Sequence, residues 1–282
     1  MQKLTDTFTL TSGQTIPCVG FGTWQTPDGP TAVHAVRAAL DAGYRHIDTA
    51  AIYGNESSVG KAIKESGIAR EEIFVTTKLW NSHRGYKSTK EAFRKSLGDL
   101  GLDYIDLYLI HWPASKSRFD NADELNIQSW QAMCELYEKG MIKSIGVSNF
   151  HEHHLRPLLE YDIKPMVNQI EFHPGFMQQD VVRFCKEHNI LIEAWGPMGT
   201  GQLLENEILK EIAAKYDKSV AQICIRWCLE CGTVPLPKSV NTDRIRSNAQ
   251  VFDFSLTRED KMIIDNMLYS GGSGLHPDKV DF

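Results

Sequence analysis

Asp48, Tyr53, Lys78 and His111 are the residues whose types and spacing point to one shared chemistry. Asp48 closes the run Tyr44-Arg45-His46-Ile47-Asp48, and Lys78 closes Ile73-Phe74-Val75-Thr76-Thr77-Lys78. His111 closes Ile105-Asp106-Leu107-Tyr108-Leu109-Ile110-His111, and Tyr53 sits five residues past Asp48. Each run is short and apolar and reads as a β-strand. A phenol can donate a proton, an ammonium can lower its pKa, a carboxylate can hold the ammonium, and an imidazole can hydrogen-bond an oxygen. Hydride delivered to a carbonyl carbon leaves negative charge growing on that oxygen, so the set suits carbonyl reduction. An ammonium at about 4 Å contributes roughly 4 kcal/mol at an effective dielectric of about 20, so a Tyr53 pKa below the usual ~10 is expected unless burial opposes it. Singly each residue is a weak signal, since a strand-end lysine is usually solvated and an Asp-x4-Tyr spacing is common.

Residues so far apart in sequence meet only if a parallel barrel brings its strand ends to one face. The chain alternates β-branched runs with amphipathic stretches, the pattern of a parallel sheet. Strands are predicted at 19–21, 45–48, 73–78, 105–111, 142–148, 166–169, 190–195 and 234–237. Helices fit at 31–42, 56–65, 88–99, 124–139, 153–159, 178–187, 207–216 and 220–230, with another starting near Thr242 and a last one at 258–268. In the first of them Val33, Val36, Ala39 and Leu40 share a face and Gly43 ends the helix. Ahead of the alternation, Phe8-Thr9-Leu10 and Thr15-Ile16-Pro17 form a small hairpin across Ser12-Gly13-Gln14, placed to cap the lower end of the barrel. A doubly wound sheet would open its first helix with a three-glycine turn, and Gly20-Phe21-Gly22-Thr23-Trp24 lacks the third. The expected architecture is an α/β (β/α)₈ barrel, a single domain over residues 1–282, ending in an extra helix and a Gly-rich tail.

The sequence has 282 residues, 42% hydrophobic and 23% charged, which suits a soluble globular protein. The formal charge of −6 and the lack of a long basic run argue against nucleic acid as a partner. No apolar stretch approaches the roughly 18 residues of a membrane helix, and Met1-Gln2-Lys3-Leu4-Thr5-Asp6 lacks a signal peptide's apolar core. With six cysteines and no secretory signal, reduced thiols, a cytoplasmic location and a monomer are expected.

Read together, several segments resemble the aldo-keto reductase superfamily over nearly the whole chain. They are Gly20-Phe21-Gly22-Thr23-Trp24, Gly43-Tyr44-Arg45-His46-Ile47-Asp48-Thr49-Ala50, Leu107-Tyr108-Leu109-Ile110-His111-Trp112-Pro113, Ile145-Gly146-Val147-Ser148-Asn149-Phe150, Val167-Asn168-Gln169-Ile170-Glu171 and Pro237-Lys238-Ser239. Trp195-Gly196-Pro197-Met198 and the short segment after His111 resemble the microbial and protozoan branch, with its 2,5-diketo-gluconate reductases, methylglyoxal-reducing enzymes and trypanosomatid prostaglandin F synthases. The resemblance implies NADPH-dependent reduction of aldehydes or ketones, with Asp48, Tyr53, Lys78 and His111 catalytic. It places Gly22, Thr23, Trp24, Asp48, Gly196, Pro197 and Met198 about the cofactor.

The residue types fill in that cofactor site. Trp195 offers the nicotinamide a stacking face, and Ser148, Asn149 and Gln169 offer hydrogen bonds to its carboxamide. Lys238, Ser239 and the helix start near Thr242 make a cationic, amide-rich end suited to phosphates. Arg244 with Lys238 suits a 2′-phosphate, favouring NADPH, and Asn248 reaches toward the adenine. Ser247 stands where many relatives carry glutamate. Substrate walls are expected from Trp24, Trp80 and Trp112, together with Tyr53 and His111.

A non-catalytic redox sensor binding NADPH through the same barrel is the rival reading, but binding alone needs no proton donor. A barrel hydrolase would leave Lys238, Arg244 and Trp195 without a shared purpose. Cys224, Cys228 and Cys231 have an iron–sulfur spacing, yet they fall at i, i+4, i+7 on one helix face and read as packing. His151, His153 and His154 read as a solvated helix start, and no metal is expected.

Overall fold

The computed structural model describes residues 1–282. Its central sheet runs β3 (Phe21–Gly22), β4 (His46–Asp48), β5 (Phe74–Leu79), β6 (Ile105–Ile110), β7 (Ile142–Ser148), β8 (Val167–Glu171), β9 (Leu191–Trp195) and β10 (Val234–Leu236), eight strands in chain order. Every pairing between neighbours is parallel. The Gly20 amide donates to the Pro235 carbonyl and the Gly22 amide to the Pro237 carbonyl, both at 3.0 Å, which closes β10 onto the first strand. The result is the expected (β/α)₈ barrel. Gly20 is required at that seam: a Cβ there would lie 2.5 Å from Leu236 Cδ2 and 2.6 Å from His46 Nδ1.

Two earlier strands, β1 (Thr7–Thr9) and β2 (Thr15–Pro17), pair antiparallel with Phe8 opposite Ile16. Ser12 Oγ lies 3.1 Å from Ser144 Oγ, and Gln14 Nε2 donates to Asp106 Oδ1 at 3.2 Å. Both partners sit near the starts of β7 and β6, so the hairpin closes the N-terminal end and leaves the C-terminal strand ends open.

The helices are α1 (Pro30–Asp41), α2 (Glu56–Glu65), α3 (Tyr86–Leu100), α4 (Ala122–Glu138), α5 (Glu152–Leu155), α6 (Gln179–Glu187), α7 (Glu207–Tyr216), α8 (Val220–Glu230), α9 (Thr242–Ala249) and α10 (Arg258–Asp265). α1 buries Ala32, Ala35, Val36, Ala39 and Leu40 on the barrel side. It ends where Gly43 turns to φ +98°, a conformation costly for residues with a Cβ. Ser219 opens α8 by accepting from the Gln222 amide, and Gln222 answers by accepting from the Ser219 amide.

Some boundaries differ from the sequence reading. The first barrel strand spans only Phe21–Gly22 rather than 19–21, pairing Phe21 with Ile47 and Gly22 with Asp48. β5 continues to Leu79, so Lys78 is its penultimate residue. The helix expected at 153–159 is α for four residues only and tightens into a 3₁₀ turn over Arg156–Glu160. Pro157 has no amide to continue the α-ladder. The last helix stops at Asp265 rather than 268, with Asn266 as its cap. No helix is long and apolar enough to cross a membrane.

Candidate active site

The barrel core is apolar, yet Lys78 ranks among its largest fully buried side chains, beside Trp130, Trp227, Tyr44, Tyr108 and Phe21. A buried ammonium persists only if paired and hydrogen-bonded. Lys78 Nζ donates to Asp48 Oδ1 at 2.6 Å, to Asp48 Oδ2 at 2.8 Å and to the Thr49 carbonyl at 2.9 Å. β4 and β5 are neighbours, so this pair is a direct product of the strand order.

Tyr53 stands on a 3₁₀ turn, Ala51–Tyr53, directly after β4. Buried Asn55 braces this loop: its amide donates to the carbonyls of Thr23 and Thr26, each at 3.0 Å, and its oxygen accepts from Thr49 Oγ1 at 2.8 Å. The Lys78 ammonium lies 5.2 Å from the centre of the Tyr53 ring. His111 packs edge-on against Tyr53, with ring centres 5.7 Å apart, and against Trp80 at 5.2 Å. The four residues therefore meet at the open end of the barrel.

Their electrostatics correct one expectation. Burial raises the Tyr53 phenol above the ordinary tyrosine range and outweighs the lowering by Lys78, while the Asp48 charge adds to the rise. The Lys78 charge is already engaged by Asp48, so less of its field is left for the phenol. Burial alone would lower Lys78, but the Asp48 carboxylate, Tyr53 and Glu193 reverse that and hold it above an ordinary lysine. His111 is pushed well below the ordinary histidine range by burial and by the charges of Lys78 and Arg84. At neutral pH the site presents a neutral phenol, an ammonium and a neutral imidazole whose Nδ1 has no partner.

The nicotinamide-side candidates come from the next strands. Ser148 ends β7, Asn149 follows it, Gln169 lies on β8 and Trp195 ends β9. They are gathered as expected, but they are bound to one another. Ser148 Oγ donates to the Gln169 carbonyl at 2.7 Å, and the Asn149 amide donates to the His111 carbonyl and to Ser148 Oγ, each at 3.0 Å. Asn149 Oδ1 accepts from Trp195 Nε1 at 2.8 Å. The Gln169 amide bridges Asp48 Oδ2 and Glu193 Oε2, each at 2.9 Å. Both Asn149 amide bonds are thus engaged, while its Oδ1 keeps a second lone pair that a carboxamide N–H can reach beside the Trp195 indole. Gly196, Pro197 and Met198 follow Trp195 in the loop, and Gly22, Thr23 and Trp24 line the neighbouring seam, where Thr23 Oγ1 donates to the Asp48 carbonyl at 3.0 Å.

Beyond β10, Lys238 is half-buried and lends its ammonium to the Gln25 carbonyl at 3.2 Å rather than to a carboxylate. Burial lowers its pKa. Ser239 Oγ accepts from the Asn241 amide at 3.1 Å, Arg244 is exposed on the first turn of α9, and Asn248 is buried on the same helix. A half-buried cation without a carboxylate, beside a helix start, fits an anionic group. The donors run from Trp195 to Asn248 around the rim, which suits an extended dinucleotide.

The three tryptophans behave differently. Trp24 is 47% exposed, while Trp112 is 6% exposed. Phe282 covers the second and third: its ring stacks on Trp80 at 5.6 Å and meets Trp112 edge-on at 5.6 Å. Asn81 Nδ2 donates to the Phe282 carbonyl at 3.0 Å. Nothing in the sequence pattern marked Phe282, Asn55 or Glu193, since each acts through a contact distant along the chain.

The two clusters read as bland in the sequence divide. Cys224 and Cys228 are fully buried on α8 and Cys231 partly so; burial raises Cys224 to about 12 and Cys231 to about 11, so all remain thiols. His154, however, is buried and not part of a solvated turn. The C-terminal segment folds over it, and Asp278 Oδ1 lies 3.0 Å from its Nε2.

A parallel barrel with a buried Lys–Asp pair, a phenol and a neutral imidazole at its open end defines a site for reducing a polarised double bond. Residues 18–268 match the aldo/keto reductase family, and the chain belongs to that family of oxidoreductases. It is 49% identical over 281 residues to glyoxal reductase of Bacillus subtilis (strain 168), covering 99% of each chain. It is also 49% identical over 274 residues to 9,11-endoperoxide prostaglandin H2 reductase of Trypanosoma cruzi (strain CL Brener), covering 96% of this chain and 94% of the relative. A crystal structure of a Bombyx mori aldo-keto reductase in complex with NADP superposes with a TM-score of 0.85 at 39% identity, over 94% of this chain and 92% of the other.

Proposed function

We propose that this chain reduces small aldehydes and ketones to alcohols with NADPH, with glyoxal and related 2-oxoaldehydes as substrates. It would do so as a single barrel domain, 1–282, working as a monomer in the cytoplasm. The observation that carries the reading is the Lys78 ammonium, fully buried and held by Asp48 within reach of the Tyr53 ring.

Bound NADPH supplies the hydride. Tyr53 donates its phenolic proton to the carbonyl oxygen; its raised pKa keeps that proton in place until charge develops on the substrate. Lys78 then stabilises the phenolate left behind, and Asp48 fixes the ammonium so that no reorganisation is needed. Neutral His111 hydrogen-bonds the oxygen and sets its direction. Lys238, Ser239, Arg244 and Asn248 hold the phosphate and adenine end, while Ser148, Asn149, Gln169 and Trp195 hold the nicotinamide. Trp24, Trp80 and Trp112 bound the substrate.

Tyr53→Phe removes the proton donor and leaves the ring. Turnover of glyoxal is expected to fall by roughly 10²–10⁴-fold, with NADPH affinity, read by fluorescence titration, unchanged. Retention of more than about a tenth of the rate would take Tyr53 out of this role.

A further inference from the structure

Outside the catalytic set, the densest group of unassigned ligand side chains is a histidine cluster at the rim. His151, His153 and His154 stand at the start of α5, directly after β7, and His276 and Asp278 come to them from the C-terminal segment. Asp278 Oδ1 lies 2.8 Å from His153 Nε2 and 3.0 Å from His154 Nε2. The rings of His151 and His276 face each other edge-on with centres 5.1 Å apart. One ligand atom from each of His151, His276 and Asp278 lies within 4.8 Å of the others. Ligands of one tetrahedral zinc sit about 3.3 Å apart, so small rotations of surface side chains would close the set.

The chemistry separates the members. His154 Nδ1 accepts from the His151 backbone amide at 3.1 Å, so its Nε2 carries the proton and is aimed at Asp278. That makes His154 an outer partner that orients the carboxylate, as ligating carboxylates usually have. His151 and His276 are free of carboxylate pairing at hydrogen-bond distance, the latter standing 3.8 Å from Asp278 Oδ2. Coordination through His276 would exchange a 3.2 Å contact from the Asp278 amide to its Nδ1 for a metal bond. Two imidazoles and one carboxylate suit a borderline divalent ion; magnesium and calcium prefer all-oxygen shells.

The geometry points to a zinc-class site: we propose that His151, His276 and Asp278 bind a divalent transition metal. A cavity of about 570 Å³ is lined by His151 and His276 together with Trp112, Asn149 and Trp195. The metal would thus fasten the C-terminal segment to the loop after β7 at the edge of the active-site mouth. That segment already leans on the barrel through Ser273 Oγ, which donates to Glu171 Oε2 at 2.5 Å, and through Ser115 Oγ, which donates to the Asp278 carbonyl at 3.1 Å.

The test uses the full chain without a histidine tag, stripped with chelator and titrated with zinc chloride, bound metal being counted after equilibrium dialysis. One tight zinc per chain is expected, with affinity falling at least about tenfold in His276→Ala and again in His151→Ala, and with magnesium failing to compete. Amide exchange over residues 273–282 should slow on zinc addition in the unaltered chain and not in His276→Ala. No tight equivalent, or equal uptake by both variants, overturns the site. Tight uptake without slower exchange overturns its fastening role.

Discussion

Two carboxylates reach toward one buried ammonium, and Lys78 gives its bonds to Asp48. Glu193, fully buried on β9, keeps only the Gln169 amide, and its Oε1 has no partner. His46 Nε2 stands 3.6 Å from it, but burial and the Lys78 charge lower His46 to about 3, so that imidazole is neutral and no ion pair forms. Burial, and then the Asp48 charge, push Glu193 up to about 8. Below about 4.5, its ordinary value, folded and unfolded chains both carry the proton. Between there and about 8 the folded chain keeps a proton that the unfolded chain has lost, so stability falls as pH rises through this window. Glu193→Gln keeps an acceptor for Gln169 and cannot ionise. Its stability relative to the unaltered chain should therefore climb between pH 5 and pH 8, by at most roughly 1.4 kcal/mol per pH unit, and its melting temperature with it. Thermal melts with a constant difference across that range would show that Glu193 is not the titrating group.

Elements were legible where local pattern carries the information. The strand runs, the face of α1 and the Ser219 box on α8 follow from periodicity and capping, so the barrel and the meeting of Asp48, Tyr53, Lys78 and His111 could be read ahead of the structure. Glu193 could not, because β9 is buried on both faces and alternation there does not separate inside from outside. Phe282 and the His151–Asp278 cluster depend on a Gly-rich tail returning across the mouth, which no period encodes. The net pKa of Tyr53 sums burial against charge, and the sequence supplies the charge but not how deeply the phenol is buried. The three α8 cysteines, by contrast, were read from helical spacing alone. Cys228 packs beneath β8, its Sγ 3.8 Å from the Phe172 carbonyl, and Phe172 stacks on Trp227. Cys228→Ala removes one buried sulfur and should cost on the order of 1 kcal/mol in denaturant unfolding. Glyoxal turnover should stay near that of the unaltered chain. Loss of turnover without loss of stability would give the thiol a chemical task and count against packing.

Across the whole molecule the formal charge is −6, which opposes the approach of a polyanionic cofactor. The rim answers locally. Lys238 beyond β10 and Arg244 on α9 stand at the end of the arc that begins at Trp195, and each gives the field of a cation with no carboxylate to absorb it. A 2′-phosphate placed there would gain hydrogen bonds to charged donors, each worth roughly 1.5–3 kcal/mol. NADH carries no such group and should gain far less. Replacing Lys238 and Arg244 together by alanine is therefore expected to weaken NADPH by roughly 2–5 kcal/mol, about thirtyfold or more, and to change NADH much less. Fluorescence titration of both cofactors measures this directly. The NADPH affinity of the unaltered chain should also fall more steeply with salt than that of the double variant, since the lost contacts are the ones ions screen. Equal losses for the two cofactors would mean that Lys238 and Arg244 support the pyrophosphate or the fold of α9 rather than reading the 2′-phosphate.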